Sequence, residues 1–387
     1  MLKGLAEIMV PGKTRIVSTK IEHPSIGSTL EYRKKWGVEV EYARVDRHGR
    51  VDLGQLAELI DERTFLVCCG LANNEIGPVQ DVAAVAELAH ARGSYVLSDC
   101  VQALGKIPVE VRSLGVDYAS FSGHKIHGPK GVGALFTREG APGVTFIHGG
   151  HQESEMRAGT ESVPNIAGFA KACVGTGKML GEAQKARALR DRLVAGLRQL
   201  RPDMVLNTPP GFSLGNTASV TFPDTDNSVL MAALDYPDIA ASAGSACHTQ
   251  SNEPSHVLMA IGLSGEEVRQ TLRLSVGTST TSGDRHYALG VFRDFFPQKL
   301  PAIAMVSPAQ LDEDLLSRAD TFILDVRFPH DRKLLKSLPN AHEFPFFSFR
   351  RHARRVPAYR NIIVVCQAGV SAPSGAPPTP LTVASSL

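Results

Sequence analysis

The chain has 387 residues, 41 Lys+Arg against 39 Asp+Glu (formal charge +2), 43% apolar and 21% charged. That length allows two or three domains with a substantial core. The near-neutral balance gives no global pull toward nucleic acid or an anionic membrane, and the composition is that of a globular protein, not a disordered one. No run approaches the ~18 apolar residues of a membrane span, and no basic n-region precedes an apolar block as in a signal peptide. Six cysteines (Cys68, Cys69, Cys100, Cys173, Cys247, Cys366) follow no regular spacing, so a reducing cytoplasm is expected in place of a disulfide framework. There is no CxxC and no HExxH, so no metal site is expected.

In chain order, Arg15 to Thr19 reads as a strand and Pro24 to Trp36 as a helix with Pro24 in its first turn. Val38 to Ala43 alternates like a strand, and Leu53 to Ile60 has helical spacing. Thr64 to Cys69 is a buried strand, and Val79 to Arg92 an amphipathic helix stopped by Gly93. Strands follow at Tyr95 to Leu97, Tyr118 to Phe121 and Val132 to Thr137. Strands alternating with helices predict a mostly parallel sheet covered on both faces. From Ile166 to Leu200 the pattern is one long helix. Strands at Ala218 to Phe222 and Leu272 to Ser275, and helices at Ser228 to Leu234, Pro254 to Ile261 and Arg285 to Phe295, predict a smaller α+β unit. The run Pro297 to Pro301 breaks the pattern as a linker does. Beyond it, a helix from Pro308 to Arg318 and strands at Thr321 to Val326 and Asn361 to Cys366 predict a third, α/β unit, and the Pro-rich text after Ser371 a disordered tail. The expected division is 1–162, a large cofactor-binding domain; 163–297, a small domain; 298–305, a linker; 306–370, a partial domain; and 371–387, the tail.

The chemistry concentrates in Ser122-Gly123-His124-Lys125, just past a strand. A lysine there can form a Schiff base with an aldehyde cofactor. Asp99 ends the preceding strand, with Gln102 three residues on. A carboxylate under a pyridine nitrogen keeps the ring protonated and electron-withdrawing. Lysine and carboxylate on successive strand ends suit a pyridoxal phosphate (PLP) site at a sheet crevice. Taken singly, the lysine reads as a surface charge and the aspartate as turn chemistry.

The run Ile21-Glu22-His23-Pro24, Asn73-Asn74-Glu75-Ile76-Gly77, Ser98-Asp99-Cys100-Val101-Gln102, Ser122 through Gly128, Met156-Arg157-Ala158-Gly159-Thr160, Gly244-Ser245-Ala246-Cys247 and Leu272-Arg273-Leu274-Ser275 resembles, in order and near spacing, the cysteine desulfurases of the class V aminotransferase family, with selenocysteine lyases as close relatives. The resemblance implies PLP-dependent transferase fold type I and conversion of L-cysteine to L-alanine, with the sulfur left on Cys247 as a persulfide for iron–sulfur clusters, thio-cofactors or tRNA. By the same resemblance Lys125 carries the cofactor and later moves protons. Asp99 pairs with the ring nitrogen, and Gln102 hydrogen-bonds the ring's phenolic oxygen. His23 stacks on the ring and serves as an acid/base group, its alternative being a capping or core histidine. Asn74 touches cofactor and substrate, Ser122 and His124 hold the phosphate, and Arg273 clamps the substrate carboxylate. Thr160 reaches the neighbouring subunit's phosphate, which implies a homodimer. A sulfur-acceptor protein is the implied partner; nucleic acid and membrane are not. Cys247, on a Gly/Ser-rich stretch, is the nucleophile; Cys68, Cys69, Cys100 and Cys173 read as packing.

Two departures stand beside this. The text begins downstream of the family's Gly-Thr phosphate loop, which implies a chain with fewer phosphate anchors. Leu324-Asp325-Val326-Arg327 and Val364 to Val370 resemble an incomplete rhodanese-like domain, with Cys366 as a second persulfide candidate. Ser371 stands where that loop has an arginine, so a plain strand-end cysteine is the competing reading. The alternatives are a selenocysteine lyase, a transaminase of the same fold, and an impaired homologue that only dimerises or binds an acceptor.

Overall fold

The computed structural model describes residues 2–297 apart from 6, 8, 10, 11, 144, 236 and 245–253; beyond 297 it describes 303–306, 318, 321–325, 340–343, 361–366 and 382–386. The chain divides into two units, Met1–Phe295 and Phe296–Leu387. No helix among the described residues is long and apolar enough to cross a membrane.

The first unit is built on a six-stranded sheet. Its strands are β1 (Arg15–Thr19), β2 (Glu39–Ala43), β3 (Thr64–Cys68), β4 (Tyr95–Asp99), β5 (Tyr118–Ser122) and β6 (Gly133–Thr137), in the order β2-β1-β3-β4-β5-β6. All neighbours are parallel except β5 and β6, which pair antiparallel at the edge. The alternation of side chains decides the layers. Val17, Val67 and Val96 pack on one face, over helices α3 (Leu53–Leu59) and α4 (Val82–His90). Ile16, Leu66 and Leu97 pack on the other, against Ile26 and Leu30 of α2 (Pro24–Lys34) and Leu5 of the short α1 (Leu2–Leu5).

Local chemistry sets the helix starts. Asp52 and Asp81 cap α3 and α4 by accepting from the N–H groups of Gln55 and Ala84. The helix expected over 79–92 is therefore shorter. Val79 is taken by a bridge to Ala72, and Gln80 donates to the Gly49 carbonyl at 2.6 Å, so the helix begins only after Asp81.

A 38-residue helix, α5 (Val163–Leu200), leads on to an antiparallel sheet of β7 (Val205–Leu206), β8 (Thr217–Thr221) and β9 (Thr271–Ser275). Helices α6 (Asn227–Asp235), α7 (His256–Ala260), α8 (Gly265–Arg269) and α9 (Ser282–Phe295) complete the unit. The two-residue β7 and the five-residue α8 were not expected from the sequence. A Ser264–Glu267 capping box starts α8, a short signal hidden between stronger apolar runs.

In the second unit, β10 (Ile303–Val306), β11 (Thr321–Asp325), β12 (His342–Glu343), β13 (Asn361–Cys366) and β14 (Thr382–Ser386) form a sheet in the order β10-β14-β13-β11-β12. The helix expected at 308–318 lies outside the described residues except Arg318. The expected disordered tail is corrected at its end. The run Thr382–Ser386 is a strand, antiparallel to both β13 and β10. Behind the Pro/Gly text of 373–378 stands a β-branched Thr382-Val383 pair that suits a strand.

Candidate active site

The connection from β1 runs to β2 on one side, and the next strand, β3, returns to the other side of β1. Such a reversal opens a crevice at the carboxyl ends of the strands. A cavity of about 430 Å³ lies there. Its walls come from the residues just after β1 (His23), β3 (Asn74), β4 (Asp99, Gln102) and β5 (Ser122, His124, Lys125), and from Arg273 on β9. Eight of the eleven residues singled out in the sequence thus line one cavity.

Each has a local reason for its place. His23 caps α2: its Nδ1 accepts the Ser25 N–H at 3.2 Å and lies 2.8 Å from Ser25 Oγ. His23 both caps α2 and lines the cavity, and with Nδ1 accepting, the imidazole in its neutral form carries its proton on Nε2. Asp99 Oδ1 accepts the Val101 N–H at 2.9 Å. Burial pushes the Asp99 carboxyl up from its ordinary value, against that hydrogen bond, the charges of His23 and Lys125 and the Ser120 hydroxyl. A desolvated carboxylate of this kind favours a cationic N–H beside it.

Ser122 Oγ and His124 Nδ1 lie 2.8 Å apart. The His124 imidazole is held below its ordinary value by burial, then by Lys125 and Lys130. Arg273 donates from Nη1 to the Asn74 carbonyl at 3.1 Å, which sets its fork beside Asn74. Its backbone also exchanges hydrogen bonds with Ser242, and Ser242 Oγ donates to the Gly244 carbonyl at 2.8 Å.

Three expected residues remain. Cys247 lies outside the described residues. The ends of its segment are described: Ser255 Oγ donates to Glu75 Oε2 at 2.6 Å, and Gly244 lies against the same carboxylate, where an added Cβ would stand 3.1 Å from Oε2. Thr160 is exposed and does not line the cavity of its own chain. Cys366 is the last residue of β13 in the second unit.

Two residues on or beside the cavity were missed. Glu22 is buried, accepts the Gly70 N–H on both oxygens (3.0 and 3.1 Å) and the Thr19 hydroxyl at 2.8 Å, and so ties the end of β1 to the end of β3. Burial pushes its carboxyl up to about 7, outweighing those bonds. Lys106 reaches back to Gln102 from a position that reads as surface. An i,i+4 pairing of the two was the available signal.

Cys68, Cys69 and Cys100 are buried, and burial pushes all three thiols up, Cys100 to about 12. This is the behaviour of packing cysteines and not of nucleophiles.

The aminotransferase class-V family matches residues 1–285. A cysteine desulfurase IscS of Methanosarcina thermophila is 38% identical over 310 residues, 80% of this chain and 76% of that protein. The chain belongs to the class-V aminotransferases, among the cysteine desulfurases. Cysteine desulfurase IscS 1 of Archaeoglobus fulgidus is 41% identical over 274 residues, covering 70% of this chain and 71% of that one. Among solved structures, a NifS-like protein superposes with a TM-score of 0.71 at 38% identity, over 76% of this chain and 78% of its own. A NifS-like protein of Rickettsia africae gives 0.67 at 30% identity, over 76% and 78%. The first unit therefore has the α/β fold of PLP-dependent transferases, and PLP is the cofactor of the family. The cavity fits that group. It holds a primary amine at a strand end and a desolvated carboxylate suited to a ring N–H. It also has the Ser122 and His124 side chains for a phosphate and an arginine beside Asn74 for a carboxylate.

Proposed function

We propose that this desulfurase releases the sulfur of L-cysteine through the cavity at the carboxyl ends of β1, β3, β4 and β5, yielding L-alanine. The convergence of Lys125, Asp99, Gln102 and Arg273 on one cavity carries the reading. Lys125 would hold PLP covalently, Asp99 its ring nitrogen, Gln102 its ring oxygen, and Ser122 and His124 its phosphate. When bound, PLP draws electrons from the amino acid and lets its C–S bond open. Arg273 binds the substrate carboxylate with its planar fork, and Asn74 supports the orientation. The Cys247 thiolate attacks the substrate sulfur. An S–S bond forms as the C–S bond breaks, the electron pair stays on the carbon fragment, and a persulfide remains on Cys247. Lys125, once free, and His23 through Nε2 are placed to give and take the protons that turn the fragment into alanine.

We infer a homodimer as the working form. Thr160 is exposed, and the stretch around it exposes Leu135, Phe146, Ile147, Met156, Val163 and Ile166. Exposed apolar side chains at this density suit burial against a second copy of the chain, which would bring Thr160 to the partner's phosphate. The persulfide then passes to an acceptor protein, and the reduced thiols suit the cytoplasm. The second unit's parallel strands β11 and β13 support a rhodanese-like reading, with Cys366 at a strand end as its sulfur-carrying candidate.

The test is a visible absorption spectrum of the purified chain with added PLP, then L-cysteine under reducing conditions, with sulfide assayed. We expect a visible band, fixed by borohydride and lost in Lys125→Ala, and sulfide release lost in Cys247→Ala. A chain without a band, or sulfide release that survives Cys247→Ala, overturns the reading. Selenocysteine in the same assay distinguishes the lyase alternative.

A further inference from the structure

Lys106 Nζ donates to Gln102 Oε1 at 2.6 Å and to the Gln102 carbonyl oxygen at 3.0 Å. An ammonium has three donors and no acceptor. The atom facing it must therefore be the amide oxygen, which leaves the amide NH₂ for another partner. A flipped amide would set N–H against N–H and forfeit a charge-assisted hydrogen bond. The ammonium thus fixes which end of Gln102 is free.

Gln102 lines the main cavity beside Asp99 and Lys125. Lys106 lines a second cavity, of about 210 Å³, that also reaches Lys125. The charged and titratable groups around it are Lys125, His127 and Glu182 on that second cavity, together with Arg273. Burial, then Lys125 and Arg273, lower the Lys106 amine to about 8. It therefore stays mostly protonated, and so a donor, at neutral pH.

We propose that Lys106 is a positioning residue: it holds the Gln102 amide with its NH₂ available to the cavity, so that this wall donates a hydrogen bond and accepts none. A cavity so fixed selects a cofactor that presents an anionic oxygen to Gln102. The inference rests on the reading that the cavity holds PLP, and it assigns Lys106 no contact with substrate or cofactor.

The experiment loads the full chain with PLP and follows the pH midpoint of its visible band in the unaltered protein, Lys106→Met, Lys106→Arg, Gln102→Leu and the Lys106→Met/Gln102→Leu double variant. Lys106→Met is expected to raise the midpoint by about one pH unit, a tenfold change in proton affinity, because both the nearby positive charge and the oriented donor are lost. Lys106→Arg, which still donates to Oε1, restores most of it. In the Gln102→Leu background the effect of Lys106→Met falls to half or less. Equal shifts in both backgrounds would mean that Lys106 acts only as a charge, and no shift in either that it does nothing; both outcomes overturn the proposal. Should Lys106→Met fail to fold, Lys106→Gln, uncharged and of similar shape, enters the same cycle with the same expectation. A band in the unaltered chain without coupling sinks this inference alone, whereas no band sinks it together with the functional reading.

Discussion

Glu22 offers a quantitative test of how the site is held together. The residue is 6% exposed, and burial raises its carboxyl from an ordinary 4.5 to about 7. A group whose acid form is favoured by folding contributes stability that is fully present below about 4.5 and lost as pH rises through about 7. The interval, at about 1.4 kcal/mol per pH unit, is worth about 3 kcal/mol. Glu22→Gln retains an oxygen that can accept the Gly70 N–H or the Thr19 hydroxyl, but it cannot ionise. Denaturant titrations of both proteins between pH 4 and 8 should therefore diverge. The wild-type chain should lose about 3 kcal/mol relative to the glutamine variant across that window, with most of the change between about pH 5 and 7. Parallel curves would show that Glu22 is not desolvated in solution and that β1 and β3 are joined in some other way.

Two further expectations follow from single contacts. Arg273→Lys replaces a planar fork with a point charge, and should raise the KM for cysteine roughly tenfold or more, the size of a lost charge-assisted bond, with cofactor absorption unchanged; an unaltered KM would remove Arg273 from the carboxylate site. Gly133→Ala would drive a Cβ into the Phe121 carbonyl oxygen across the β5–β6 pair, so we expect a loss of about 1–3 kcal/mol in unfolding free energy and, if Ser122 to Lys125 hold PLP as proposed, weakened PLP binding. Wild-type stability in that variant would refute the close approach of these two strands.

The site was legible in the sequence because its residues fall at strand ends. Ser122 to Lys125 and Asp99 each close a recognisable apolar run, whereas His23, Asn74 and Arg273 were singled out only by the family resemblance. What periodicity does not carry is direction across the sheet. Nothing in the text of β3 says that it passes β1 to lie on its far side, yet that crossing opens the crevice in which His23 and Asn74 meet Asp99. The contributions of Glu22 and Lys106 were also hidden. Each looks like an ordinary surface charge until distant backbone, Gly70 in one case, or a turn, Gln102 to Lys106 in the other, buries it.

The sequence by itself determined the alternating α/β layout, the long α5 helix and most of the polar residues that line the cavity. These are local properties, written in side-chain period, caps and short ordered motifs. Tertiary structure decided which of those residues share a cavity and which wait outside it. It left Thr160 exposed on the surface. It also turned the end of an apparently structureless tail into β14. The physical reason is that strand order and burial are set by the packing of segments far apart in the chain, and packing changes the charge, donor direction and reactivity of a side chain without changing a letter of its text.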